Sequence, residues 1–204
     1  MLDVKTILPQ KDRVVVRLLN LDEVYEDLIL QHQSDEERIA VRYGEVIALG
    51  PEADQPSHCP GLEVKNQTVF TQFAGAYLPT DDTESLYKIV RGYDIIGMKS
   101  GETKGEVTAT QWTPTADRLL VEIVDLSKKD GGVILNDAQD PRLAELHYGV
   151  VLKKGKEANH VDVKVGDLVA FDPYVGTIIR HYESDEQPEL RMIVDFDIQL
   201  TVKK

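Results

Sequence analysis

The apolar positions of this chain fall in short runs rich in β-branched side chains, broken by Gly, Pro, Asp and Asn. In the first half these runs are Arg13–Leu18, Gly44–Leu49, Thr68–Phe70 and Tyr87–Val90. In the second they are Arg118–Val124, Gly149–Leu152, Leu168–Phe171 and Leu190–Val194. Such runs predict β-strands, with turns at Gly50-Pro51 and Lys154-Gly155-Lys156. No long segment carries the three-and-four spacing of an amphipathic helix. The pattern predicts an all-β protein made of small barrels or sandwiches.

The pattern also occurs twice. Pro9-x-x-Asp12-Arg13-Val14-Val15-Val16 reappears as Pro114-x-x-Asp117-Arg118-Leu119-Leu120-Val121, an offset of 105. The same offset lays Leu28-Ile29-Leu30 on Val133-Ile134-Leu135, and Tyr43-Gly44-Glu45-Val46 on Tyr148-Gly149-Val150-Val151. At an offset of 101, Phe70, Phe73 and Gly75 meet Phe171, Tyr174 and Gly176. At 103, Asp94-Ile95-Ile96 lies over Asp197-Ile198-Gln199. The drifts fall in polar stretches, where loop length is tolerated. We expect two copies of one domain, at 1–100 and 108–204, joined by an exposed linker at 101–107 whose Gly-rich, charged composition suits that role. At 204 residues, each copy is long enough to bury a core.

A long polar stretch follows the first strand of each copy, at about 20–42 and 125–147. Stretches of this length are usually functional or disordered. The second contains Gly131-Gly132-Val133-Ile134-Leu135. Three adjacent apolar side chains cannot all face one side of a strand. One reading is a supple arm with an apolar tip that docks on a partner, with the glycines supplying backbone freedom. The other is an ordinary hydrophobic strand with Gly-Gly as its turn. Full burial of one such side chain stabilises by about 1.5–3 kcal/mol, and ordering the arm offsets part of that. A single arm would bind weakly, and several acting together would bind well.

Net charge is −13, from 36 acidic and 23 basic residues. So acidic a surface repels phosphate backbones and anionic membranes, and neither nucleic acid nor membrane is an expected partner. No stretch reaches the ~18 apolar residues of a membrane span, and Met1–Lys5 has neither signal-peptide nor transit character. The single cysteine, Cys59, cannot form an intrachain disulfide, in keeping with a reducing compartment. The cytoplasm is the expected location, with a plastid stroma or a viral host's cytoplasm as variants. His58-Cys59 is the only candidate metal pair; His32, His147, His160 and His181 lie at no ligand spacing. No phosphate loop, dinucleotide fingerprint or nucleophile elbow occurs. We therefore expect no enzymatic activity, no metal and no cofactor. Trp112 is expected to pack at the junction of the copies, with contacts inside a ring of subunits as the other reading.

Taken in order, the Pro-x-x-Asp-Arg frame, the Gly131–Leu135 tip, Tyr148-Gly149-Val150-Val151, Val163-Lys164-Val165-Gly166-Asp167-Leu168-Val169-Ala170-Phe171, Tyr174-x-Gly176 and Asp197-Ile198 resemble the GroES family of co-chaperonins. Copy one keeps the frame but departs at two places. Its tip reads Glu26-Asp27-Leu28-Ile29-Leu30 without the Gly pair, and Lys65-Asn66 stands where copy two has Gly166-Asp167. The resemblance implies two tandem GroES-like, partly open β-barrels, each with a mobile loop. It implies that Gly131, Gly132, Val133, Ile134 and Leu135, with Leu28, Ile29 and Leu30 in the divergent loop, bind a GroEL-type chaperonin. ATP would be held by that partner, an unfolded client protein would be enclosed, and the chain would form a homo-oligomeric ring. A sevenfold ring leaves open how two copies per chain are matched to it. A tandem barrel scaffold that binds some other protein is the alternative, and an enzyme using the barrel as a substrate module is a third.

Overall fold

A computed structural model of the chain describes residues 3–19, 41–82, 84–99, 111–124, 146–179 and 189–203. Thirteen strands and three single-turn 3-10 segments make up its regular structure among these residues. The expected loop tips and linker lie outside the described residues.

In the first barrel the strands are β1 (Arg13–Leu19), β2 (Val41–Leu49), β3 (Gln67–Thr71), β4 (Ala76–Tyr77), β5 (Tyr87–Arg91) and β6 (Ile95–Lys99). A short β7 (Thr113–Pro114) follows. The second barrel contains β8 (Arg118–Ile123), β9 (His147–Lys154), β10 (Leu168–Phe171), β11 (Thr177–Ile179), β12 (Leu190–Val194) and β13 (Ile198–Val202). The sheet orders are β4-β5-β1-β2-β3-β6-β7 and β11-β12-β8-β9-β10-β13, with antiparallel pairing throughout. The fold is all-β, with two tandem GroES-like barrels. Val124 lies just past β8, Lys154 is the last residue of β9, and Val41, Arg42 and His147 belong to strands and not to the arms.

The duplication extends to irregularities. A bulge between Val15 and Val16 is matched by one between Leu120 and Val121, and one between Val69 and Phe70 by one between Ala170 and Phe171. Lys11 and Ala116 both take the left-handed conformation. At the second departure between the copies, Lys65 adopts φ 73° where Gly166 adopts φ 93°. The turn survives because its polar partner is kept. Asn66 Oδ1 accepts from the Glu63 N–H at 2.9 Å, as Asp167 Oδ2 accepts from the Lys164 N–H at 2.9 Å.

Strand alternation sends side chains to two kinds of core. Val14, Val16, Val46, Phe70 and Val90 fill the first barrel; Leu119, Val121, Val151, Phe171 and Ile193 fill the second. A third cluster lies between the barrels. It joins Val41, Tyr43, Val69 and Ile96 of the first to Leu120, Ile179, Leu190 and Met192 of the second, around Trp112. Leu120 points into this seam while its neighbours point into the barrel, so three consecutive apolar residues serve two cores.

Trp112 is fully buried, with its ring 5.5 Å from that of Tyr43. Beside it β7 pairs with β6, Gly97 facing Pro114 and Met98 facing Thr113. Thr115 Oγ1 donates to the Ile95 carbonyl at 2.5 Å. The Arg118 guanidinium lies 4.7 Å from the centre of the Tyr93 ring and donates to the Tyr93 carbonyl at 2.9 Å.

Candidate functional site

The residues expected to bind a partner, Leu28, Ile29, Leu30, Gly131, Gly132, Val133, Ile134 and Leu135, lie outside the described residues. The structure shows instead where each stretch leaves and re-enters its barrel. The first departs at Leu19, paired with Tyr43, and the Leu18 N–H donates to the Leu86 carbonyl at 2.7 Å. The second departs at Val124, whose N–H donates to the Tyr148 carbonyl at 2.9 Å, while the Ile123 N–H donates to the Glu189 carbonyl at 2.8 Å. The Leu18–Leu86 and Ile123–Glu189 bonds occupy equivalent positions, and the Leu19–Tyr43 pair stands where copy two has Val124 and Tyr148.

The Tyr-Gly step at each root also has a physical cause. A Cβ on Gly44 would sit 3.0 Å from Val16 Cβ and 3.1 Å from the Phe70 ring. One on Gly149 would sit 3.0 Å from the Glu122 carbonyl oxygen. A side chain at either position would have to push its neighbours back by a few tenths of an ångström. The roots differ in charge: Arg17 pairs across the strands with Glu45 at 2.9 Å, where copy two has Glu122 and Val150.

A second duplicated feature carries the exposed aromatics. Phe73 is 86% and Tyr174 94% exposed, each at the tip of a turn. Gly75 and Gly176 two residues later have φ of 65° and 83°. Beneath each tip lies a buried cation. Lys88 Nζ donates to the Gln72 carbonyl at 3.0 Å, and Arg191 donates to the carbonyls of Pro173 at 2.7 Å and Val175 at 3.2 Å. Arg191 also donates to Glu189 at 2.6 Å. Burial, followed by repulsion from Arg42, lowers the Lys88 pKa. The sequence shows the aromatics but not their support. The readable signal was a cation recurring at an offset of 103, at the second position of β5 and of β12.

Among the described residues the remaining candidates are placed as follows, His32 and His181 lying outside them. Cys59 is buried, with its sulfur 3.9 Å from that of Met98, and burial pushes its thiol up to about 12. It therefore stays protonated and is neither nucleophile nor thiolate ligand. His58 Nδ1 bonds Ser57 Oγ at 2.8 Å and its Nε2 lies 3.7 Å from Asp12. His160 Nδ1 bonds Asp195 Oδ1 at 2.6 Å. Among the described residues no three His, Cys, Asp or Glu side chains are grouped to hold a metal, and no helix is long and apolar enough to cross a membrane.

The profile of the family described as chaperonin 10 kDa subunit matches this chain twice, at residues 6–99 and 111–194. A protein of Pseudothermotoga lettingae named co-chaperonin GroES is 39% identical over 71 residues, 33% of this chain and 74% of its own length. Its namesake in Kosmotoga olearia is 36% identical over 75 residues, 35% of this chain and 79% of its own. A third, from an Exiguobacterium strain, is 34% identical over 74 residues, 33% of this chain and 78% of its own.

Proposed function

The chain belongs, in both of its halves, to the chaperonin 10 kDa subunit family, and from that premise we propose that this co-chaperonin closes the folding chamber of a GroEL-type chaperonin in an ATP-dependent cycle. Val133, Ile134 and Leu135 act as the principal anchor, with Gly131 and Gly132 as its hinge. Leu28, Ile29 and Leu30 act as a weaker second anchor. ATP is bound by the chaperonin, and this chain works by docking and not by catalysis. Several copies present their arms together, and an unfolded client is enclosed beneath them. The compartment is that of the chaperonin, the cytoplasm by default.

The observation that carries this reading is the matching root of the two stretches, where the Leu18 N–H bonds the Leu86 carbonyl as the Ile123 N–H bonds the Glu189 carbonyl. Docked apolar tips stabilise by about 1.5–3 kcal/mol per buried side chain before ordering costs, and multivalency compounds a loss at every arm. Mixing the chain with a GroEL-type ring and ATP should shift it to the mass of the complex on sizing. Ile134→Asp should abolish that shift, and serines at 28–30 should weaken it less than serines at 133–135. An Ile134→Asp variant that binds as tightly as the original would refute the anchor.

A further inference from the structure

The two barrels treat one pair of equivalent positions differently. Beside the root of the second arm, Arg191 is neutralised from within its own barrel, its Nε donating to Glu189 Oε1 at 2.6 Å. The repeat puts Lys88 at the place of Arg191 and Leu86 at the place of Glu189. The first barrel therefore keeps the cation and lacks its carboxylate. It also carries a second cation, Arg42, where copy two has His147.

The two cations of the first barrel stand together. Arg42 pairs with Phe70 across β2 and β3, and Lys88 Nζ lies 6.0 Å from the centre of the Phe70 ring. Arg42 is near enough to add to burial in lowering the Lys88 pKa. Lys88 is only 3% exposed. An ammonium has three donors, and among the described residues Lys88 uses one, on the Gln72 carbonyl at 3.0 Å. Among the same residues neither cation has a carboxylate within ion-pair distance. Glu45 and Asp82 are engaged by Arg17 and Tyr87. Those two pair with each other one step along from Val16 and Lys88, and so lie on the opposite face of the strands.

Like charges held side by side, one of them away from water, disfavour each other until a negative group arrives. Apolar surface flanks them. Tyr77 pairs with Lys88 and its ring centre is 5.0 Å from the ammonium, yet the residue is 61% exposed. Leu86 is 63% exposed, and Phe73 stands out beside Gln72.

We propose that this end of the first barrel is a docking site for a partner polypeptide presenting an acidic side chain next to an apolar one. The incoming carboxylate takes the place that Glu189 fills in copy two and accepts from Lys88 and Arg42. Its apolar neighbour covers Tyr77 and Leu86. The class of ligand is read from copy two, whose own chain supplies a carboxylate at this point of the same frame. The apolar rim selects a peptide over a free anion. The second barrel, already neutralised, offers no such site. The inference goes beyond chamber closure and does not depend on it.

The test uses the full chain without a chaperonin. The probes are the peptides acetyl-Phe-Glu-Leu-amide and acetyl-Phe-Gln-Leu-amide, with inorganic phosphate as the free anion. Each is titrated calorimetrically at low ionic strength. The glutamate peptide should bind at one site per chain, and the glutamine peptide about tenfold more weakly. Leu86→Glu supplies the carboxylate from within, as copy two does, and should abolish peptide binding. Arg42→Gln should weaken binding about tenfold. Far-UV circular dichroism shows whether each variant is folded; should Leu86→Glu fail to fold, Arg42→Gln decides in its place. The proposal is overturned if the glutamate peptide does not bind, if the glutamine peptide or phosphate binds as tightly, or if the folded variant binds the glutamate peptide undiminished.

Discussion

Lys99 closes β6 against Trp112, its Nζ 5.2 Å from the centre of the indole ring and without a hydrogen-bond partner among the described residues. Burial lowers its pKa from 10.5 to about 8. The sign follows from proton counting. Between pH ~8 and ~10.5 the unfolded chain holds a proton on this amine that the folded chain has released, so stability rises with pH across that window. Below pH ~8 both states are protonated, and the folded one carries the full cost of a buried cation. The gap in pKa corresponds to at most ~3 kcal/mol. The Trp112 face favours the ammonium by about 0.5–2 kcal/mol, and residual solvent screening trims the rest, leaving about 1–2 kcal/mol. Lys99→Met keeps the length of the side chain and removes the charge. By urea denaturation followed by far-UV circular dichroism, Lys99→Met should be more stable than the unaltered chain by about 1–2 kcal/mol at pH 7. The difference should shrink steadily towards pH 10, other titrating groups cancelling between the two proteins. Parallel stability curves, or an unaltered chain more stable at pH 7, would refute the reading of Lys99 as a costly buried cation.

The left-handed turn residue offers a paired test. Lys65→Gly should stabilise by up to ~1 kcal/mol, whereas Gly166→Ala, with open space around its Cβ position, should cost about 1 kcal/mol from backbone strain alone; melting temperatures decide both. Arg191→Met strands the Pro173 and Val175 carbonyls and should cost about 2–3 kcal/mol in urea denaturation. Cys59 should resist a thiol reagent at pH 8 until the chain is unfolded, and prompt labelling of the native protein would contradict its burial. Asp82 is held below the usual carboxylate range by the Tyr87 hydroxyl, then by the Glu84 N–H. Its contribution is therefore present above the unfolded carboxylate pKa and is lost as pH falls through the lowered folded value; Asp82→Asn should flatten that acid slope.

The strands that line each barrel were legible because they are short runs rich in β-branched residues that recur at a fixed spacing. β6 was not, because Gly97 interrupts its apolar run and only the Asp-Ile start recurs in the second copy. β13, its counterpart, repeats the Asp-Ile start but carries Gln199 and Leu200 in place of Ile96 and Gly97, so sequence comparison stopped at the motif. Short β4 and β11 pass as loops because two or three residues carry no period. Trp112 was recognisable as a junction residue from its place before Pro114. The partners that make the junction, Gly97, Tyr93 and Arg118, were not, because each has meaning only against a surface contributed by the other copy. Lys65 shows the reverse limit. The sequence marks a lost glycine, yet the fold keeps the turn through Asn66.

Trp112 is the sole tryptophan of the chain, and it sits between the barrels and in neither. Its emission therefore reports how the two halves are joined and is blind to the interior of each. If the halves part before they melt, the fluorescence will redden while the β-sheet signal persists, and the lag between the two curves measures directly how much the union of the halves adds to the strength of either one.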